Sequence, residues 1–197
     1  MFEKEKVDAR IKYTREWTFE ALTKLLEIKE YNDIKITEII HKAGISRATF
    51  YRNFSNKDEI VITKVKMFFE DFYSHIIEYF LFNEPEDEIF LIQSFFKRID
   101  EEEKLVDTVI KTNLEYLMID GIHQIITSHS ELFYSLVLSD KVTEEYTMDI
   151  VASSAWTLLS RWHKTGKKEQ ASELVTVYLN AFKNVYIALF EDKKMLK

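Results

Sequence analysis

Apolar positions recur every three or four residues along almost the whole chain, the pattern of amphipathic helices rather than of alternating strands. Ile11, Thr14, Trp17, Ala21, Leu22, Leu25 and Leu26 make the first stripe, with Glu, Lys and Arg between them, and predict a helix from about Asp8 to Lys29. The pattern breaks at Tyr31-Asn32-Asp33. Ile36, Ile39, Ile40 and Ala43 then give barely two turns that stop at Gly44, a residue able to take the left-handed conformation of a helix C-terminal cap. Ser46 can cap a second short helix, Arg47 to Asn53, by accepting from the amide of Ala48 or Thr49. Ser55, with Asp58 three residues on, reads as the start of a long fourth helix that carries Ile60, Ile62, Val65, Phe68, Phe69, Phe72, Ile76 and Tyr79 toward Pro85.

The remainder also reads as helix. Ile89, Ile92, Phe95, Phe96 and Ile99 form one stripe, and the acidic stretch Asp100 to Glu103 separates it from Leu105, Val109 and Ile110. A further segment is expected from about Leu114 to Leu138, with Gly121 inside it marking a kink or a close approach, and Ser139-Asp140 make a turn. Two long helices follow, about Thr143 to Lys164, ending at Gly166 among basic residues that suit a helix C-terminus, and about Gln170 to Glu191.

Composition supports the same fold class. Three Gly and one Pro in 197 residues are too few for the turns of a sandwich, a barrel or a doubly wound sheet, so the chain is expected to be all-α. With no Cys, disulfides, thiolate metal sites and thiol catalysis are excluded. The longest uninterrupted apolar run is Val185 to Phe190, and Met1 to Lys6 is of mixed charge, so neither a signal peptide nor a membrane span is expected. The formal net charge of −7 is unevenly spread. Residues 1–66 hold 14 Lys and Arg against 11 Asp and Glu, whereas residues 67–197 hold 13 against 23. Residues 35–66 carry seven basic side chains against three acidic, a local patch through which an acidic protein could still meet a polyanion.

Two short helices joined at Ala43-Gly44-Ile45-Ser46 make a helix-turn-helix, with a second helix sized for a major groove. Alone, such a junction is common. The wider string from Ile34 through Ile60, with Ala43-Gly44-Ile45-Ser46, Thr49-Phe50-Tyr51, Phe54 and Asn56-Lys57-Asp58-Glu59 in register, closely resembles the DNA-binding domain of TetR-family transcriptional regulators. Departures from the family's habit are Lys29-Glu30 where Gly is usual, Lys35 for Thr, and Ile40 for a small Ala at the helix crossing.

The resemblance implies an N-terminal three-helix helix-turn-helix domain over residues 8–68. A long helix would join it to a ligand-binding and dimerisation helical bundle over residues 69–197, with about nine helices in all. Carried over by position, Arg47 to Asn53 is the recognition helix. Arg47 and Thr49 would approach base edges, Ala48 would let the helix sit close, and Tyr51 and Arg52 would reach phosphate or base. Thr37, Ser46 and Lys57 would grip backbone phosphates. Phe50 and Phe54 are read as core, His41 as solvent-facing, and Glu38 and Asp58 as caps and dipole partners.

For the body, the small residues Ala152, Ser153, Ser154 and Ala155 before Trp156 and Leu159, with the stripe of the last helix, suggest a dimer interface made by Ala152, Ala155, Trp156, Leu159, Val177, Ala181 and Val185. Packing within one chain is the alternative. Tyr73, His75, Tyr116, His123, His129 and Tyr134 lie beside polar groups and are the candidate liners of a small-molecule chamber, although most of the 28 aromatics must fill the core. Asp120 with His123 and Asp71 with His75 have helical spacing for two metal ligands, but each lacks further ligands, so no metal or cofactor is expected. No P-loop, dinucleotide fingerprint or triad order argues for an enzyme.

The expected function is therefore that of a cytoplasmic, nucleoid-associated regulator, without membrane partners. It would bind double-stranded DNA at a palindromic operator as a homodimer and be released as a repressor by an unidentified effector. An architectural or cell-division protein using the same head is the alternative.

Overall fold

Helices of this chain end where a backbone reversal is locally cheap, and those ends set the architecture. The computed structural model describes the backbone of residues 2–82, 88–128 and 141–190, and the side chains of residues 10–79, 90–128 and 145–181. Among the described residues there are nine helices and no strand: α1 Phe2–Leu26, α2 Ile36–Ala43, α3 Arg47–Asn53, α4 Asp58–Phe82, α5 Glu88–Glu101, α6 Glu103–Lys111, α7 Tyr116–Ser128, α8 Lys141–Lys164 and α9 Ala171–Phe190. A single 3-10 turn, Tyr31–Asp33, lies between α1 and α2.

Gly44 ends α2 at φ 66°, with its own amide donating to the His41 carbonyl at 3.2 Å and the Ile45 amide to the Ile40 carbonyl at 3.2 Å. This double closure needs a left-handed residue, and Gly takes it without a Cβ clash. The same pairing ends α6 at Asn113, φ 57°, where the Leu114 amide reaches the Val109 carbonyl at 3.0 Å. Asn is the commonest non-Gly residue in that conformation, and it delays the next helix to Tyr116 from the expected Leu114. The start of α4 differs from expectation too. Asn56, rather than Ser55, accepts from the Glu59 amide (3.0 Å), because its longer side chain reaches the first turn from one residue nearer. Helix α1 ends at Leu26, before the expected Lys29; Ile28 beyond it is exposed and has no face to bury.

Residues group into two compact units. The first comprises residues 1–74 and 104–121: α1 to α3, most of α4, α6 and the start of α7. Its core is built on Leu22, Ile39, Phe50, Phe54, Ile60, Val61, Phe68, Leu105, Val106 and Met118, all buried. Thr14 and Thr18, also buried on α1, return their hydroxyls to the carbonyls of Arg10 (2.9 Å) and Thr14 (2.7 Å), so the stripe stays satisfied without apolar side chains there. Gly121 makes a close approach: a Cβ there would fall inside the van der Waals envelope of the Phe69 ring. Residues 104–121 thus pack with the N-terminal segment, although a linear cut at residue 68 puts them in the body.

The second unit comprises residues 75–103 and 122–197. Here α9 packs against α5 and α8, with Phe96 and Tyr178 in tilted ring contact at 5.7 Å. The Tyr178 hydroxyl donates to the Val151 carbonyl at 2.8 Å, and burial pushes the phenol up to about 12. The Trp162 indole donates to the Glu169 carbonyl at 3.0 Å, and Lys167 reaches Asp100 at 2.9 Å, fixing the α8–α9 corner to the end of α5. Pro85 and the predicted turn at Ser139-Asp140 lie outside the described residues.

Candidate nucleic-acid interface

A seven-residue helix can bury only one side, and its buried side fixes what it displays. In α3 that side is Phe50, fully buried against Phe54 with ring centroids 5.4 Å apart. At 100° per residue, anchoring position 50 sends positions 48 and 52 to the far side and leaves 49 and 51 on the flanks, while Arg47, one turn before the anchor, stands at the first position of the helix. Arg47, Ala48, Tyr51 and Arg52 are all exposed, and Thr49 is half-buried. The start of α3 is set by Ser46, whose Oγ accepts from the Thr49 amide at 3.0 Å and lies 2.8 Å from the Thr49 hydroxyl. Arg47 and Tyr51, one turn apart, are coupled: the guanidinium stands 5.6 Å from the Tyr51 ring centroid, and that ring meets Phe50 edge-on at 5.3 Å. This display offers a guanidinium fork, a second cation, a phenol and two methyl groups on a rod about 10 Å long, which suits a major groove about 12 Å wide.

Helix α2 holds this display in place. Ile39 is fully buried, and Thr37 in the first turn is exposed. Glu38 reaches back to the Lys35 amide at 3.0 Å and forms an ion pair with Lys29; that pair and the amide together lower its pKa. The unusual Lys29 thus has a local partner. Ile40 is half-buried and lends its carbonyl to the Gly44 closure.

Lys57 is turned inward. Its ammonium donates to the carbonyls of Tyr31 at 2.6 Å and Ile34 at 3.3 Å and stands 4.1 Å from the Tyr31 ring centroid, so the group the sequence offers to phosphate ties the α1–α2 connection to the start of α4. Beside it the Tyr31 hydroxyl donates to the Asp58 carboxylate. Burial first, then the carboxylate, raise the Tyr31 pKa. Asp58 is therefore a hydrogen-bond acceptor for Tyr31 as well as an acidic group in the first turn of α4. Nothing local in the sequence signals a pairing 27 residues apart.

Candidates in the body fare differently. Ala152, Ala155, Trp156 and Leu159 are buried within the chain's own second unit, at 0%, 5%, 2% and 0% exposure. Their face of α8 is covered within the single chain, which is the alternative of packing within one chain. Val177 and Ala181 are exposed, as are Tyr146 and Ile150 on the opposite side of α8. The Val185 side chain lies outside the described residues, as do His129 and Tyr134. Of the other chamber candidates, Tyr73, His75 and Tyr116 are exposed. His123 is half-buried, with Nε2 3.4 Å from an Asp149 carboxylate oxygen. Among the described residues no group of three or more His, Cys, Asp or Glu is arranged to hold a metal ion. None of the described helices is long and apolar enough to cross a membrane.

Comparison with known proteins agrees with this geometry. Residues 19–63 match the family model of bacterial regulatory proteins, tetR family. An uncharacterised HTH-type transcriptional regulator of Bacillus subtilis (strain 168), YxbF, is 38% identical over 76 residues, a match that spans 38% of this chain and 20% of that protein. Over nearly the whole chain the likeness is one of fold. A Listeria innocua protein, Lin0861, superposes with a TM-score of 0.74 at 18% identity, covering 90% of this chain and 93% of that one. The TetR-family repressor FadR of Thermus thermophilus, solved with lauroyl-CoA, superposes with a TM-score of 0.57 at 18% identity, covering 85% and 92%.

Proposed function

We infer that the chain is a TetR-type transcriptional regulator, residues 19–63 supplying that family's DNA-binding helix-turn-helix, and that it acts as a homodimeric repressor on a palindromic operator and is released by a small molecule. The observation that supports this most directly is the outward set Arg47, Ala48, Tyr51 and Arg52 on a helix whose roll is locked by Phe50. In this reading residues 8–68 are the DNA-binding domain and residues 69–197 the dimerisation and ligand-binding domain. Arg47 and Thr49 read base edges, Ala48 permits close approach, and Tyr51, Arg52, Ser46 and Thr37 fix the helix on phosphate or base. Lys57 acts one step back, holding the connection before α2 in register.

Dimerisation through the last two long helices is supported by the exposed apolar residues Tyr146 and Ile150 on α8 and Val177 and Ala181 on α9, each pair one helical turn apart. Two recognition helices about 34 Å apart would then meet successive major grooves of one operator. An effector can shift this arrangement only by binding its two forms unequally. The acyl-CoA held by the Thermus FadR makes that ligand class the first to try against the second unit.

Selection of operator sequences from random duplexes, followed by titration at several salt concentrations, tests the reading. Affinity should fall steeply with salt, and Arg47→Ala should narrow the ratio between operator and random duplex by about 10-fold, a bidentate contact being worth about 1–3 kcal/mol. An unchanged ratio removes Arg47 from base readout, and failure to enrich any sequence overturns the regulator reading. Sedimentation should give a dimer of twice 23.6 kDa.

A further inference from the structure

Two large aromatic side chains stand in solvent on α1, beside the helix-turn-helix. Tyr13 is 57% exposed and Trp17 58% exposed, and their rings lie in a near-parallel arrangement 6.2 Å apart. The chain has three tryptophans, and the other two, Trp156 and Trp162, are buried at 2% and 4% exposure. Tyr13 and Trp17 form one wall of an open groove whose opposite wall is the turn, Gly44 to Ser46, and Thr49 at the start of α3. Arg10 also lines it. On its other flank Trp17 borders a second shallow groove with Lys24 and Lys42. Arg10, Lys24 and Lys42 are exposed cations. Glu20, the one carboxylate lining either groove, is held by Lys104 at 2.7 Å.

We propose that this face of α1 is a second DNA contact, seating the sugar–phosphate backbone of the strand that passes beside the recognition helix. It rests on the reading of α3 as that helix. Three features select a nucleic-acid strand as the occupant. The groove shares Ser46 and Thr49 with the α3 end, so a duplex engaged by α3 lies next to it. Its free charge is positive, complementary to phosphate. Arg10, Tyr13 and Trp17 each carry a hydrogen-bond donor, the set that satisfies phosphate oxygens, while the two ring faces cover the apolar side of deoxyribose. A backbone contact carries no sequence information, so the groove adds affinity without adding specificity and lengthens the footprint on each half-site.

Trp17, as the exposed indole of the three, reports on its own groove. The full-length protein is titrated with a selected operator duplex and with a random duplex of equal length, while acrylamide quenching of tryptophan fluorescence is followed. Quenching should fall about two-fold or more on binding either duplex, and Trp17→Phe, which keeps a ring but lacks the indole N–H, should abolish the change and weaken both duplexes less than Trp17→Ala does. Trp17→Ala should weaken both duplexes by a similar factor, about 5–20-fold, with their ratio unchanged. Arg10→Ala should lower the slope of log affinity against log salt by about 1, the loss of one phosphate contact. Both positions are exposed, so circular dichroism melts should match the wild type. Operator binding of wild-type strength by Trp17→Ala, with quenching unmoved by DNA, overturns the inference and leaves the α3 reading standing. Quenching that falls with protein concentration in the absence of DNA also overturns it, because the groove is then a contact between copies. If the wild type binds no duplex at all, the α3 reading fails first and this one with it.

Discussion

Helices α3 and α8 pose the same problem and solve it in opposite ways. Each carries apolar residues that could point either inward or outward. In α3 a single anchor, Phe50, decides: seven residues leave room for one buried side, and Arg47, Tyr51 and Arg52 are displayed. In α8, 24 residues carry apolar groups on both sides, Met148, Val151, Ala152, Ala155, Trp156 and Leu159 facing the unit's own core while Tyr146 and Ile150 face solvent. A short helix with one anchor has its rotation written in its sequence. A long helix with two apolar faces does not, because which face meets its own chain and which is left for another is settled by packing with distant segments.

The largest expected effect attacks the α3 anchor. Phe50→Ala removes a fully buried ring from the first unit and should cost about 3–5 kcal/mol, read as a lower urea midpoint. DNA binding should fail at denaturant concentrations where the helical signal of the second unit persists. Retention of operator affinity by a folded Phe50→Ala protein would mean that α3 is positioned by something other than its aromatic anchor.

The contrast within α8 and α9 gives the next. Ala152→Leu adds three carbons at a site with no exposure and should cost about 1–3 kcal/mol by overpacking, whether or not a second copy is present. Val177→Glu, at 53% exposure, should leave the melting of a dilute sample within about 0.5 kcal/mol of wild type but raise the dimer dissociation constant measured by sedimentation. If Ala152→Leu dissociates dimers while keeping monomer stability, the inward assignment of that face is wrong.

These contrasts show what was legible from residue order and why. Helix ends were readable at Gly44, Ser46 and Gly166 because their causes are local: a left-handed cap or a hydroxyl three residues from an amide. The groups displayed by α3 followed from the family resemblance, which also marked Phe50 and Phe54 as core. The Tyr31–Asp58 hydrogen bond and the Lys57 contacts with Tyr31 and Ile34 were not readable, since they join positions 23 to 27 residues apart that share no periodicity. Nor was the outward direction of Tyr13 and Trp17. Trp17 sits in the apolar stripe that predicted α1, yet it is exposed, and from Thr14 the buried thread of that helix passes through Thr18 instead.

Gly121 offers a smaller and more diagnostic effect. Alanine should gain about 1 kcal/mol of helix propensity, against an overpacking cost of about 1–3 kcal/mol where its methyl meets Phe69. Gly121→Ala alone should therefore be neutral to mildly destabilising. In a Phe69→Ala background it should become stabilising, so the double-mutant cycle changes the sign of the glycine substitution. Equal effects in both backgrounds would show that the close approach does not constrain α7.

The smallest effect is the pH dependence that Tyr178 gives the second unit, beside the one that Tyr31 gives the first. A buried phenol that holds its proton longer than it would in the unfolded chain contributes stability that is intact below its ordinary value of about 10 and is lost as pH rises through the folded value. For Tyr178, burial raises that value to about 12, so the second unit should weaken progressively above pH 10. Tyr178→Phe removes the titration and also the hydroxyl's bond to the Val151 carbonyl, worth about 1 kcal/mol at neutral pH. Urea midpoints measured from pH 8 to pH 11 should therefore start lower for the variant and converge on the wild type toward the alkaline end. Parallel curves would mean that Tyr178 titrates as an exposed phenol, and the contact that ties α9 to α8 would have to be redrawn.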